Sequence, residues 1–444
     1  MTSESKTYAP LAEQAFNKDG KGGLVARRFA LDNGLGVLLV ADRAAPVCAY
    51  QTWFRVGSRH EREGRTGLAH LFEHLMFNET ESLAPGEFDR RLEALGADTN
   101  AATWVDWTYY RESVPTQHLD EVMKLEAERM ARLVVNEPQL EAERSVVSNE
   151  RLQRVDNDVD GFLSEQLYKQ AFDRHPYRWP TIGWMEDIQA ISLDDARRFY
   201  RTYYAPNNAT VVLVGDFEEQ AALASIERHY GHIPAQEIPA EEQVVEPPPA
   251  GERRAVFEKP VLTDRLVLGW RACGITDADH AALEVAAEIL FNGQSSLLYR
   301  RLIVETEIAS SLGADVPTFR DPGLFEVRVS MQRGHRAAEA ETLIDEAIDR
   351  LRRDLVDEAV LQKAKNRLEA HHWHGLRPHE GKAEALGHNE TTAGDFRFLF
   401  DAATRVQDVT PEALRTAIAR NLRKERRTVL IAEPARRRRR GGAR

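Results

Sequence analysis

Midway along this 444-residue chain, residues 238–251 read Ile-Pro-Ala-Glu-Glu-Gln-Val-Val-Glu-Pro-Pro-Pro-Ala-Gly. The stretch has no amphipathic period and contains three consecutive prolines, Pro247, Pro248 and Pro249. Proline fixes φ and withdraws a backbone donor, so this segment is neither a helix interior nor a central strand. It is extended and semi-rigid, and it separates two bodies more firmly than a glycine linker would. A chain of this length also exceeds what one hydrophobic core usually supports. Two domains are therefore expected, 23–237 and 252–434, with a polar tail at 1–22 and an arginine-rich tail at 435–444.

Within the first domain, 25–31 leads into Asp32-Asn33-Gly34, a hairpin turn signal, and 37–40 returns. A third strand covers 47–56, and a second hairpin joins 98–105 to 108–114. Helices are expected at 85–95, 116–133 and 138–171, and a last strand at 210–214 precedes a helix ending near Tyr230. Strands mixed with helices in this way give an α+β fold: two homologous domains, each a largely antiparallel sheet with helices packed on one face.

Between the third strand and the next helix lies Gly67-Leu-Ala-His-Leu-Phe-Glu-His-Leu-Met-Phe77. Leu68, Leu71, Phe72, Leu75 and Met76 recur at helical spacing, so this is a buried amphipathic helix. His70 and His74, four apart, lie one above the other on one face, and Glu73 stands beside them. Two imidazoles one turn apart suit zinc, and an adjacent carboxylate can take a proton from water that the metal activates. The order His-x-x-Glu-His is the inverzincin order. Histidines on an apolar helix are more often core residues, and the motif arises by chance in roughly a few per cent of such chains.

A second stretch strengthens the metal interpretation. Glu143 and Glu150 are two turns apart on one face of a helix that Pro138 begins. One suits a third metal ligand and the other a carboxylate supporting a ligand. Two histidines and one glutamate leave the fourth position of a zinc open, as catalysis requires.

With these motifs the chain resembles the pitrilysin-like zinc metallopeptidases, in particular half-length bacterial members similar to the β subunit of mitochondrial processing peptidase. The resemblance spans about 24–432 and includes Gly96-Ala-Asp-Thr-Asn-Ala-Ala-Thr103, His175-Pro-Tyr, Ile182-Gly, Asp187-Ile, Tyr204-Ala-Pro-Asn-Asn-Ala209 and Val214-Gly-Asp-Phe217. It implies zinc bound by His70, His74 and Glu150, with Glu73 as general base and Glu143 as support. It also implies that Asn100 and Ala101 lie on an edge strand that pairs with a peptide substrate.

The second half reads as a repeat. Residues 262–269 match the strand 47–56, and Ala282-Leu-Glu-Val-Ala-Ala-Glu-Ile-Leu-Phe291 takes the place of the zinc helix. Glu284, Ala287 and Glu288 then stand at the positions of His70, Glu73 and His74, so the repeat has lost the ligands and the base. Family members commonly carry an arginine and, seven residues later, a tyrosine after this helix, holding the substrate carbonyl. Here Ile303 and Ser310 occupy those positions, with Arg300 and Arg301 nearby. A heterodimer is expected, in which a homologous chain lacking the motif supplies the Arg/Tyr pair, with a homodimer as the alternative.

Composition narrows the remaining classes. A formal charge of −12 argues against a general nucleic-acid binder. The two cysteines, Cys48 and Cys273, have no neighbours at metal-ligand spacing. The N-terminus lacks a secretory apolar stretch and no run has transmembrane length. The expected location is the cytoplasm, or the periplasm if a signal peptide has been removed, with no membrane partner. His371, His372, His374, His379 and His388 fit no coordination spacing, the aromatics Tyr168, Phe172, Tyr177 and Trp179 suit core packing, and the run 436–440 reads as a solvated tail. The expected function is hydrolysis of extended peptides by a zinc endopeptidase or oligopeptidase, and the alternative is a non-catalytic scaffold subunit.

Overall fold

A computed structural model describes residues 8–16 and 23–435. The run 436–440 and most of the polar tail lie outside these residues. The described chain forms two compact units. One comprises the chain up to Asn149, Trp179–Gln243 and His371–Ala402; the other comprises Glu150–Arg178, Val244–Ala370 and the chain from Ala403. Each half of the sequence therefore lends a segment to the unit built mainly from the other half, unlike two consecutive domains meeting at the linker.

The first unit is built on seven strands: β1 (Ala12–Ala15), β2 (Val25–Ala30), β3 (Gly36–Ala41), β4 (Val47–Phe54), β5 (Asp98–Thr103), β6 (Thr108–Pro115) and β7 (Ala209–Gly215). Their order is β1-β2-β3-β7-β4-β6-β5. Only β3 and β7 run parallel; every other neighbouring pair is antiparallel. β1 is a described part of the expected N-terminal tail and extends the sheet beyond β2.

The second unit has β8 (Arg253–Lys259), β9 (Arg265–Arg271), β10 (Ala309–Asp315), β11 (Leu324–Met331) and β12 (Arg427–Pro434), in the order β10-β11-β9-β12-β8. Again one pair is parallel, β12 with β8. Read from the other end, β8-β12-β9-β11-β10 repeats β3-β7-β4-β6-β5 strand for strand and direction for direction. The duplication expected from one matched helix extends to the whole sheet.

β7 is buried along its entire length and β4 along nearly all of it, because both faces of the sheet are covered. Helices α1 (Leu68–Leu75), α2 (Glu87–Ala94) and α3 (Leu119–Arg132) supply one side, where Leu71, Phe72, Met123 and Met130 meet Phe29, Tyr50 and Phe54. On the other side Leu386 and Ala383, from helix His379–Thr392, pack on Trp53, Tyr109 and Val212. That helix carries Gly387, where a Cβ would stand 2.1 Å from Trp53 Nε1.

The expected helix 138–171 is two helices. α4 (Glu137–Arg151) gives way to a π-helical turn, Leu152–Asp156, and α5 (Val159–Ala171) restarts where the Asp158 side chain accepts the Gly161 N–H. The Asn157-Asp158 pair competes for backbone donors and so favours a break and a new cap. The division between the units falls inside α4, one residue before Glu150. α5 then packs on β9 and β12 of the second sheet, with Leu167 against Gly269. Each sheet thus receives on its second face one helix from the other half of the sequence.

Candidate metal centre

α1 starts from an unusual backbone. Gly67 has φ 88°, a left-handed conformation that favours glycine. A Cβ there would lie 2.6 Å from the Ile182 carbonyl oxygen, and a Cβ on Gly183 would lie 2.5 Å from Gly67 Cα. The Ile182-Gly motif is therefore a close backbone contact that seats the start of α1. The Glu61 carboxylate accepts the N–H groups of Gly67 (2.8 Å) and Ala69 (2.7 Å), two donors left over at the helix start. Asp187 accepts the Thr66 hydroxyl at 2.7 Å, and Thr66 Oγ1 in turn accepts the Trp184 N–H at 2.9 Å. These contacts fix the helix entry, and burial of Leu68, Leu71, Phe72 and Leu75 fixes its rotation.

With that rotation set, His70 is buried, His74 is half-buried, and their ring centroids are 4.9 Å apart. One ligand atom from each of His70, His74 and Glu150 lies within 4.8 Å of the others. Neighbouring donors around a four-coordinate zinc stand roughly 3.3–3.5 Å apart, so rotamer-scale movements close this group around an ion. Two imidazoles and a carboxylate are a donor set that zinc accepts. Among the described residues no other group of three such side chains converges in this way.

Glu143 sits beside the group rather than in it. Its Oε2 is 3.6 Å from His74 Nδ1, too long for a good hydrogen bond but a close electrostatic contact. Its Oε1 accepts the Asn78 Nδ2–H at 2.9 Å. The His74 imidazole holds the Glu143 carboxyl below its ordinary range, helped by Asn78 and opposed by burial. This contact turns His74 Nε2 away from Glu143. Sequence reasoning missed Asn78, although it stands four residues beyond His74 and its spacing offered the signal. It also missed Glu61, for which no pattern existed.

Glu73 is half-buried on α1, and its charge reaches the Tyr110–Tyr204 pair, whose hydroxyls are 3.3 Å apart. Burial first, and the charge of Glu73 among the smaller causes, raise both phenols. Asn100 and Ala101 lie on β5, the edge strand of the first sheet and a neighbour of α1. They pair inward with Arg111 and Tyr110 of β6. Asn100 Oδ1 accepts the Ala101 N–H at 2.9 Å.

The corresponding helix of the second unit, His280–Leu290, is committed elsewhere. Glu288 pairs with Arg367 Nε at 3.1 Å, Glu284 lies 3.5 Å from His280 Nδ1, and Ala287 is buried. Ile303 packs against the second core, and Ser310 Oγ donates to the Ser330 carbonyl at 3.2 Å. Arg300 and Arg301 both approach Glu305, at 4.0 and 3.2 Å. His379 lies 3.4 Å from Asp42, and His388 sits by the Trp53 and Trp107 rings. In the second unit Tyr168 stacks on Phe172, which meets Tyr177 edge to face, while Trp179 Nε1 donates to the Ser58 carbonyl in the first. No helix among the described residues is long and apolar enough to cross a membrane.

Comparison with known proteins gives two family matches: residues 36–183 to "Insulinase (Peptidase family M16)" and residues 190–368 to "Peptidase M16 inactive domain". The zinc protease PqqE of Helicobacter pylori is 33% identical over 343 residues, covering 76% of each chain. The crystal structure of a protease from Helicobacter pylori superposes with a TM-score of 0.88 at 29% identity, covering 92% of this chain and 99% of the other. The periplasmic protease PqqL of Escherichia coli shares the fold at 20% identity, with a TM-score of 0.77, 94% of this chain and 48% of its own.

Proposed function

From the premise that this chain belongs to the M16 (insulinase) family of peptidases, we propose that it is a zinc metallopeptidase that cleaves extended peptides and unfolded segments, with its catalytic centre on α1 and α4. The observation that carries the proposal is the convergence of His70, His74 and Glu150, with Glu73 on the same helix as the two histidines. Zinc, the metal in the names of its relatives, would supply Lewis acidity, polarising the scissile carbonyl and making a water acidic enough to lose a proton near neutral pH.

The protein's own groups do the rest. His74 is oriented through Nδ1 by Glu143, which is itself held by Asn78. The Glu73 carboxylate takes one proton from the attacking water and delivers it to the leaving amine nitrogen as the C–N bond breaks. β5 offers an open strand edge, so a substrate would add as a further strand through main-chain hydrogen bonds near Asn100 and Ala101. A folded protein cannot present such a strand, which restricts substrates to extended segments. The chain would work as the zinc-bearing member of a dimer, since Ile303 and Ser310 cannot hold a carbonyl as an arginine and a tyrosine can.

The deciding experiment combines metal analysis with one substitution. Purified protein should carry about one zinc per chain. Glu73→Gln should keep the metal and lose hydrolysis of a fluorogenic peptide by several orders of magnitude, roughly the weight of a general base in such a site. Zinc retained with turnover unchanged would overturn the role of Glu73. Absence of zinc would favour the scaffold alternative.

A further inference from the structure

Glu150 has a neighbour that the ligand set leaves unexplained. Arg154 Nη1 lies 3.1 Å from Glu150 Oε1, one helical turn away; the arginine side chain is 75% exposed and the glutamate 18%. The turn that brings them together is fixed from several sides. It is the π-helical turn Leu152–Asp156, a form that recurs at functional positions. A Cβ on Gly161 would stand 1.8 Å from the Arg154 carbonyl oxygen, so α5 closes directly onto this turn. Arg151 and Val155 are buried, and Arg151 Nη1 donates to Glu165 at 2.7 Å. Glu150 and Arg154, each one residue before that inward pair, share the adjacent outer face.

We propose that Arg154 is a positioning residue for the metal centre: its guanidinium holds one oxygen of Glu150 and so presents the other to the ion. The proposal rests on Glu150 being the third ligand. A carboxylate left to rotate can bind with either oxygen or both, and fixing one oxygen removes that freedom before the metal arrives. Ligating carboxylates are commonly held by such outer partners, whose loss costs about ten- to hundred-fold in metal affinity. A guanidinium also repels a dication. With three-quarters of its side chain in water that repulsion is screened, whereas the contact with Glu150 is local, so orientation outweighs repulsion.

The test is zinc titration of the full chain against a chromogenic chelator, for the wild type, Arg154→Gln and Arg154→Lys, with thermal unfolding of the zinc-free proteins alongside. Arg154→Gln should bind zinc about ten- to hundred-fold more weakly. Arg154→Lys should recover part of the loss, keeping the charge but not the planar fork. Zinc-free melting temperatures should agree within about 2 °C, because a pair of this spacing whose arginine lies largely in water contributes little to folding. Zinc affinity of Arg154→Gln within about two-fold of wild type, or tighter, would overturn the proposal. So would a zinc-free melting temperature that falls in step with affinity, which marks a merely structural role. Failure of the wild type to bind zinc would overturn Glu150 as a ligand, and the proposal with it.

Discussion

His74 Nδ1 faces Glu143 Oε2 at 3.6 Å, while the other oxygen of Glu143 accepts the amide of Asn78 at 2.9 Å. The glutamate therefore bridges the helix that carries the histidines and the helix that carries Glu150. In the proposed centre, a carboxylate held in this way would orient a ligand rather than serve as one. Glu150→Ala should abolish tight zinc binding, and Glu143→Ala should weaken it about ten- to hundred-fold. Asn78→Ala should weaken it less than Glu143→Ala, since it acts one step further out. Chelator competition ranks the three, and a larger loss in Glu143→Ala than in Glu150→Ala would exchange the roles of the two glutamates.

How much of this centre could be read in the sequence depends on distance along the chain. His70, Glu73 and His74 lie within two turns of one helix, so spacing alone places them together, and Glu143 and Glu150 are legible as one face of another helix. Which of the two glutamates approaches the histidines depends on how α4 packs against α1, and no periodicity encodes that. The same limit explains the helix missed in the fold. Residues 138–171 keep an apolar period through Val155, but Asp158 can cap and Gly161 leaves room for the Arg154 carbonyl, so the chain breaks and crosses to the second sheet. The covering of both sheets by helices from the opposite half is a long-range exchange, visible in sequence only afterwards, as Gly387 under Trp53.

That glycine gives a test of packing. Alanine is favoured over glycine inside a helix by about 1 kcal/mol, so a bare helix would be stabilised by Gly387→Ala. Here the new methyl would collide with the rigid ring of Trp53, itself stacked on Tyr109 at 4.2 Å, and overpacking of this kind costs about 1–3 kcal/mol or more. Gly387→Ala should therefore lower the unfolding midpoint. Gly269→Ala, whose nearest neighbours are the flexible side-chain carbons of Leu167 from 2.9 Å, should lower it less. Denaturant titration of both variants checks the order.

His388, beside Trp53 and Trp107, predicts a pH effect. Burial lowers its pKa to about 4, against the opposing charge of Asp106. Between about pH 4 and 6.5 the unfolded chain then binds a proton that the folded chain does not, so stability rises with pH through this window. The contribution is complete above about pH 6.5 and lost as pH falls toward 4, by up to about 2 kcal/mol after allowing for partial exposure. Metal-stripped wild type and His388→Leu should be unfolded in urea at pH 7 and 4.5. The variant should lose less stability on acidification, and equal losses would remove His388 as the cause.

Ile303 is committed to the second core, Ser310 to the Ser330 carbonyl, and Arg300 and Arg301 lie against Glu305. None is poised to hold a scissile carbonyl as its charge develops, and preorganised donors of that kind are worth about a hundred-fold or more in turnover. The isolated chain should therefore bind zinc with normal affinity yet hydrolyse a fluorogenic peptide slowly. A homologous chain with an arginine and a tyrosine at these positions should raise the rate by about that factor, forming an interface of the size stable dimers use. Neither substituting Ile303→Arg with Ser310→Tyr in the partner-bound protein nor adding more zinc should raise the rate further, because the deficiency is then already met. Rate measured against oligomeric mass decides the matter: full turnover by a pure homodimer would show that Arg300 or Arg301 leaves Glu305, or that the adjacent Tyr299 turns, to take the role.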